Sequence, residues 1–385
     1  MDERRGTALR ISLHFAALFV VPGIYLPFFA VWLESRGLSP TEISVMLSVG
    51  IMLRLVAGPV AAHLVDRNGR RKQAIVILAW ASLASFLLLG WADGFRALLL
   101  VWMLHTVVWA PITPFSENIA LLAASRHNLQ YGRLRLWGSL SFLVAAYLAG
   151  LWLKGRSDDW IYWLLLGGMA ILALGSMALP DLRLPLSPPR AGAPALRLLR
   201  NRMFLAFLAA NACLQASHAA FYTFGTLHWR SVGLSDAAIG WLWAEGVLAE
   251  VLLFAFGQRV GLRIGGVGLL MLAVGGGLLR WVSTGFIADL TLLSVLQLLH
   301  AATFGAAHLG AMRLLADGCE AGESATAQSL YTAGNSAMLA LATLACGPLF
   351  AAVGGQVYLL MVLLSLAGGG FVLLLWRQRA EIRFG

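Results

Sequence analysis

The sequence predicts an all-α membrane protein of twelve transmembrane helices arranged in two pseudo-symmetric six-helix bundles. Three observations carry that reading. Hydrophobic residues make up 59% of the 385 and charged residues 12%, about half the ~25% that coats a soluble domain. Apolar runs long enough for the ~20 residues of a spanning helix recur from end to end. The second half of the chain also repeats features of the first at a fixed offset.

The runs fall at 11–33, 42–64, 73–92, 96–122, 132–153 and 160–179, then at 203–226, 236–257, 265–284, 289–314, 326–349 and 356–376. Residues 1–10 are polar, and the apolar stretch behind them is too long for the core of a cleavable signal. The first run is therefore expected to stay in the membrane. Between the sixth and seventh runs, 180–202 is rich in Pro and Arg, and Pro185, Pro188 and Pro189 exclude a continuous helix there. The expected division is a bundle at 1–179, a cytoplasmic linker at 180–202 and a bundle at 203–385.

An offset of 196 places Gly37-Leu38-Ser39 on Gly233-Leu234-Ser235, Ile43 on Ile239, Gly50 on Gly246 and Gly69 on Gly265. One register thus holds across two helices and a loop. Parallel repeats related by an axis along the membrane normal belong to rocker-type transporters, whose site lies near the midplane. The same offset pairs Arg54 in the second run with Glu250 in the eighth.

The net charge of +10 could indicate a polyanion, but its distribution points to topology. Most Lys and Arg residues fall at one set of ends and loops. Arg36, Arg96, Lys154, Arg156 and Arg230 fall on the other side, and Arg54 and Arg280 lie within helices. This bias places both termini in the cytoplasm. A nucleic-acid partner is not expected; membrane lipid is. Cys213, Cys319 and Cys346 have no metal-like spacing. His300 and His308 could share a helix face but lack an obvious third ligand. No cofactor, metal or enzymatic activity is expected, and the chain is expected to act as a monomer.

Charges inside hydrocarbon cost at least ~2.5–3.5 kcal/mol each on insertion scales, so they mark partners or watery cavities. The candidates are Arg54, Glu117, Arg135, Glu245, Glu250 and Arg280, with His105, His218, His300 and His308. In the fourth run Pro111 and Pro114 bend the helix just before Glu117. The hairpin to the fifth run could bring Glu117 to Arg135, whereas Arg133 reads as a boundary charge. A carboxylate substrate would suit Arg54, Arg135 or Arg280. Trp102, Trp109, Trp137, Trp241 and Trp243 could face an aromatic ring or belong to a lipid belt.

Two resemblances add to this reading. The loop Asp66-Arg67-Asn68-Gly69-Arg70-Arg71 resembles the helix 2–3 signature of the major facilitator superfamily, with Ala62 where that pattern has Gly. It implies the major facilitator fold and a conformational-switch role for Asp66, Arg67, Gly69, Arg70 and Arg71. The segments 131–139, 218–222, 246–250 and 297–313 resemble bacterial 3-phenylpropionic acid permeases over nearly the whole chain. They resemble lactose permeases and nucleoside–proton symporters more distantly.

In the lactose permeases a helix 4 glutamate and a helix 5 arginine bind substrate. That resemblance implies these roles for Glu117 and Arg135, and proton coupling for Arg280 and His300. Arg54, His218 and Tyr222 complete the substrate-binding candidates. The lactose permease pattern fails at Thr303 and Val247, where it has carboxylates, which leaves Glu250 as the expected proton carrier. Helix 5 lacks the proline of the superfamily's drug exporters. The resemblance therefore implies proton-coupled uptake of a small aromatic carboxylic acid, with a sugar or nucleoside symporter, or an exporter, as alternatives.

Overall fold

The computed structural model describes residues 3–66, 69–182, 194–256, 258–320, 323–378 and 382–384. Among these, every regular element is helical. The first half comprises α1 (Glu3–Ser35), α2 (Pro40–Asp66), α3 (Arg71–Leu89), α4 (Gly94–Trp109), α5 (Ile112–Arg126), α6 (Tyr131–Leu153) and α7 (Asp159–Met177). A short α8 (Pro194–Arg200) follows. The second half comprises α9 (Arg202–Ala216), α10 (Ala219–Ser231), α11 (Asp236–Phe256), α12 (Gln258–Thr284), α13 (Leu290–Leu298), α14 (Ala307–Gly318), α15 (Ser324–Val353) and α16 (Tyr358–Arg377). Pro185, Pro188 and Pro189 lie outside the described residues.

Among the described residues, eleven segments are long and apolar enough to cross a membrane. The last, Ser324–Arg377, runs for 54 residues and contains both α15 and α16, parted at Gly354 with φ 56°. The expected twelve crossings follow only if these two helices cross separately, which their 30 and 20 residues allow. Side chains such as Leu100, Val144, Leu174, Val295 and Leu363 are exposed. In a multi-pass membrane protein that surface belongs to lipid.

The glycine repeat has a local cause. In both halves a helix ends on a left-handed glycine, Gly37 at φ 84° and Gly233 at φ 89°. Leu38 N–H then reaches back to the Leu33 carbonyl (3.2 Å), as Leu234 N–H does to Trp229 (3.0 Å). These are matching Schellman ends, which only a residue without a Cβ adopts freely. The following serine starts the next helix. Ser39 exchanges hydrogen bonds with Glu42, and Ser235 Oγ accepts from Ala238 N–H at 3.3 Å. Gly69 and Gly265 are likewise both left-handed, at φ 62° and 72°.

The chain divides into two compact units, Met1–Pro189 with Ser235–Ala244, and Arg190–Leu234 with Glu245–Gly385. Within the first, α1 packs on α6 and α7, and α3 on α4 and α7. Within the second, α9 packs on α15 and α16, and α12 on α14 and α16. The pairing pattern thus repeats.

Among the described residues, three crossings are broken. Pro111 ends the helical ladder between α4 and α5, since proline offers no N–H. Ser217 and His218 separate α9 from α10 without a proline; the Ser217 hydroxyl bonds back to the Leu214 carbonyl (2.7 Å) and accepts from Trp281 (3.2 Å). Between α13 and α14 the segment Ala301–Ala306 winds as a π turn. Each break lies beside one of the polar clusters described below.

One end of the second unit is tied by its own termini. Arg197 of α8 bonds Glu323 through Nε (2.6 Å) and Glu320 through Nη2 (3.3 Å). Asn201 caps α9 through its carboxamide oxygen, and its Nδ2 donates to the Arg383 carbonyl (3.0 Å). Phe384 is fully buried against Phe204 and Phe207, and its N–H bonds the Gly318 carbonyl at 2.7 Å. A buried Phe truncated to Ala costs about 3 kcal/mol. The Phe384→Ala variant is therefore expected to unfold at lower temperature in detergent; an unchanged midpoint would mean the tail adds nothing to stability.

Candidate functional site

The first polar cluster lies in the first unit, where α5 and α6 meet α1. Arg135 donates through Nε to Glu117 Oε1 at 3.0 Å, and the Tyr131 hydroxyl donates to Glu117 Oε2. The two charged side chains keep only 28% and 25% of their surface. Under the guanidinium lies Phe19 of α1, with its ring centroid 3.8 Å from Cζ. This stacking suits the planar, weakly hydrated Arg and not Lys. Arg135 Nη1 is buried with no hydrogen-bond partner.

Gly138, one turn on, makes room for this arrangement. A Cβ there would sit 2.8 Å from Arg135 Nη1 and 2.9 Å from Phe19. Next to the cluster, His14 Nε2 pairs with Ser116 Oγ at 2.8 Å.

Arg54 stands apart from that cluster. It is exposed, and its guanidinium lies beside the Tyr25 hydroxyl of α1. Tyr25 stacks on Trp102 (5.7 Å), which is itself buried against Phe29. Trp137 and Trp241 are exposed, as belt residues would be, and Trp243 is buried.

The second cluster lies in the second unit. Arg280 of α12 is completely buried. It donates through Nη1 to His300 Nδ1 (3.0 Å) and Thr303 Oγ1 (2.9 Å), and through Nη2 to Gln297 Oε1 (2.7 Å). Its Cζ lies 4.7 Å from the Phe221 ring centroid and 4.5 Å from that of Trp281. The other face of His300 meets Glu250, Nε2 to Oε2 being 3.5 Å. His218 is also buried, with Nδ1 on the Gln215 carbonyl (3.2 Å) and Nε2 on Thr303 Oγ1 (3.1 Å).

The π turn aligns His300, Phe304 and His308 as a column of parallel rings, with centroids 5.4 and 6.4 Å apart. A cavity of about 240 Å³ opens beside it, lined by Gln215, Tyr222, Phe304, His308, Tyr331 and Asn335. Among the described residues no three His, Cys, Asp or Glu side chains group as a metal site.

The structure thus brings Glu117 to Arg135, and Arg280 and Glu250 to opposite faces of His300. It puts Tyr222 on a cavity wall and His218 behind it, and leaves Arg54 with Tyr25. Glu245 is partly buried. In the switch loop Gly69 has the left-handed turn, and Arg70 precedes the first residue of α3, Arg71. Arg67 and the side chain of Asp66 lie outside the described residues.

Tyr131, Gln297 and Phe19 were not singled out by sequence reasoning. Tyr131 and Gln297 open two of the segments that carry the resemblance. Phe19 gave no signal, because an apolar residue on an apolar helix looks like any other.

The "Probable 3-phenylpropionic acid transporter" of Escherichia coli (strain K12) is 32% identical over 363 residues, 92% of this chain and 94% of that one. The "Maltose permease" of Geobacillus stearothermophilus is 28% identical over 72% of each chain. The crystal structure of the nucleoside transporter NupG superposes with a TM-score of 0.83 at 14% identity, covering 98% of this chain and 99% of that one, which establishes the fold alone. The MFS_1 like family matches residues 8–360. The chain therefore belongs to the MFS_1 like family and is a multi-pass transporter of the major facilitator type.

Proposed function

We propose that the protein takes up a small aromatic carboxylic acid, such as 3-phenylpropionate, together with protons by alternating access. In this reading it works as a monomer in the bacterial inner membrane with both termini cytoplasmic. The carrying observation is the geometry of Arg135. Glu117 occupies its Nε edge and Phe19 its face, while buried Nη1 has no hydrogen-bond partner. Such a guanidinium suits a carboxylate that takes its far edge. The E. coli relative's name supports the same class of solute.

Arg54 and Tyr222 contribute further substrate contacts, with His218 holding the wall behind Tyr222. Glu250 carries the coupling proton, with His300 and Arg280 adjusting it. The loop of Asp66, Arg67, Gly69, Arg70 and Arg71 switches the conformers.

Purified protein in liposomes tests the reading. Labelled 3-phenylpropionate should accumulate when the outside is made acidic, and collapse of the pH gradient should release it. Accumulation of a sugar or nucleoside instead, or proton-driven expulsion of the acid, would overturn it.

A further inference from the structure

The donors and acceptors around Arg280 allow only one assignment of protons. Arginine has no acceptor, so His300 Nδ1, 3.0 Å from Nη1, must carry a lone pair. Neutral His300 then bears its proton on Nε2, which faces Glu250 Oε2 at 3.5 Å. On the far side, His218 Nδ1 meets a carbonyl and must donate to it. Its Nε2 is therefore an acceptor, and the one hydroxyl hydrogen of Thr303 points to it. The Thr303 oxygen is left to accept from Arg280. Gln297 Oε1 holds Nη2.

From these contacts we infer that Gln297 and Thr303 are positioning residues that press Arg280 onto His300 Nδ1, locking the imidazole as the neutral Nε2–H tautomer directed at Glu250. His300 does not carry the transported proton, because a second proton on Nδ1 would meet a guanidinium N–H and expel Arg280 from its cradle. The imidazole is a fixed donor that stabilises the Glu250 carboxylate once its proton has left. The charged and titratable groups around this pair are Arg280 from α12, His218 and Tyr222 from the α9–α10 break and α10, and His308 from α14. This inference rests on the proposed coupling role of Glu250.

The test is nitrogen NMR of the full chain, labelled at histidine and held in lipid nanodiscs. The His300 signals are assigned by their loss in His300→Asn. Wild type should show Nδ1 unprotonated and Nε2 protonated, and should keep that pattern on acidification. Thr303→Val removes the hydroxyl at nearly constant shape. It should yield mixed tautomers and reduce pH-driven accumulation about tenfold, as expected for one hydrogen bond to a charged group. Thr303→Ser should restore both.

A cationic or Nδ1–H His300 in wild type would overturn the lock. So would a Thr303→Val protein with wild-type tautomer and accumulation. If Glu250→Gln still accumulates substrate while the tautomer is locked, the coupling assignment fails and the lock stands.

Discussion

Liposomes carrying the Glu250→Gln variant are expected to exchange labelled for unlabelled substrate at equilibrium, yet to reach no concentration gradient when the outside is acidified. Glutamine has the shape of the protonated acid and cannot lose the proton. A symporter frozen in that form still crosses loaded, but the cycle no longer consumes the pH gradient. Glu250 keeps 18% of its side-chain surface and lies beside the π turn, where a Cβ on Gly305 would be 3.7 Å from its Cγ. The accumulation ratio should fall from well above one to about one, read directly as internal over external label. Wild-type accumulation by the variant would return Glu250 to a structural role and pass coupling to Glu117.

Arg135→Lys is expected to raise the half-saturating substrate concentration by about tenfold to a hundredfold, the range for losing a charge-assisted hydrogen bond of ~1.5–3 kcal/mol. Lysine keeps the charge but has no Nε edge for Glu117 and no plane to lie on Phe19. Its ammonium can satisfy Glu117 or the substrate's carboxylate, but not in the same fork. Binding measured by isothermal titration in detergent separates this loss from any slowing of transport. Unchanged affinity would make Arg135 a charge that merely sets topology.

The spans, the repeat and most of the charged partners were legible in the sequence because each is a local signal or a costly exception. A charge in an apolar run must be accommodated, so Arg280, Glu250, Glu117 and Arg135 identify themselves. Gly37 and Gly233 could be aligned by eye because a Schellman end demands the same residue in both halves. What could not be read were contacts made by ordinary side chains across distant helices. Phe19 meets Arg135 from over a hundred positions away, and nothing in its neighbourhood records that. Nor did the sequence show how Arg280 is held without a carboxylate. Thr303 looked like a departure from the lactose permease pattern, and in the structure it is a partner.

The π turn at Ala301–Ala306 amounts to an α-helix with one residue to spare. Winding these residues as regular α without losing the spare one would turn all of α14 by roughly 100° about its axis. The ring column from His300 to His308 would then lose its alignment, and Gly310 its close approach to Gly266. The wide turn, more than the identity of its small side chains, therefore keeps α14 in register. A deep scan combining substitutions with single insertions across 301–306, selected for uptake, should accept many small-residue exchanges and reject the insertions.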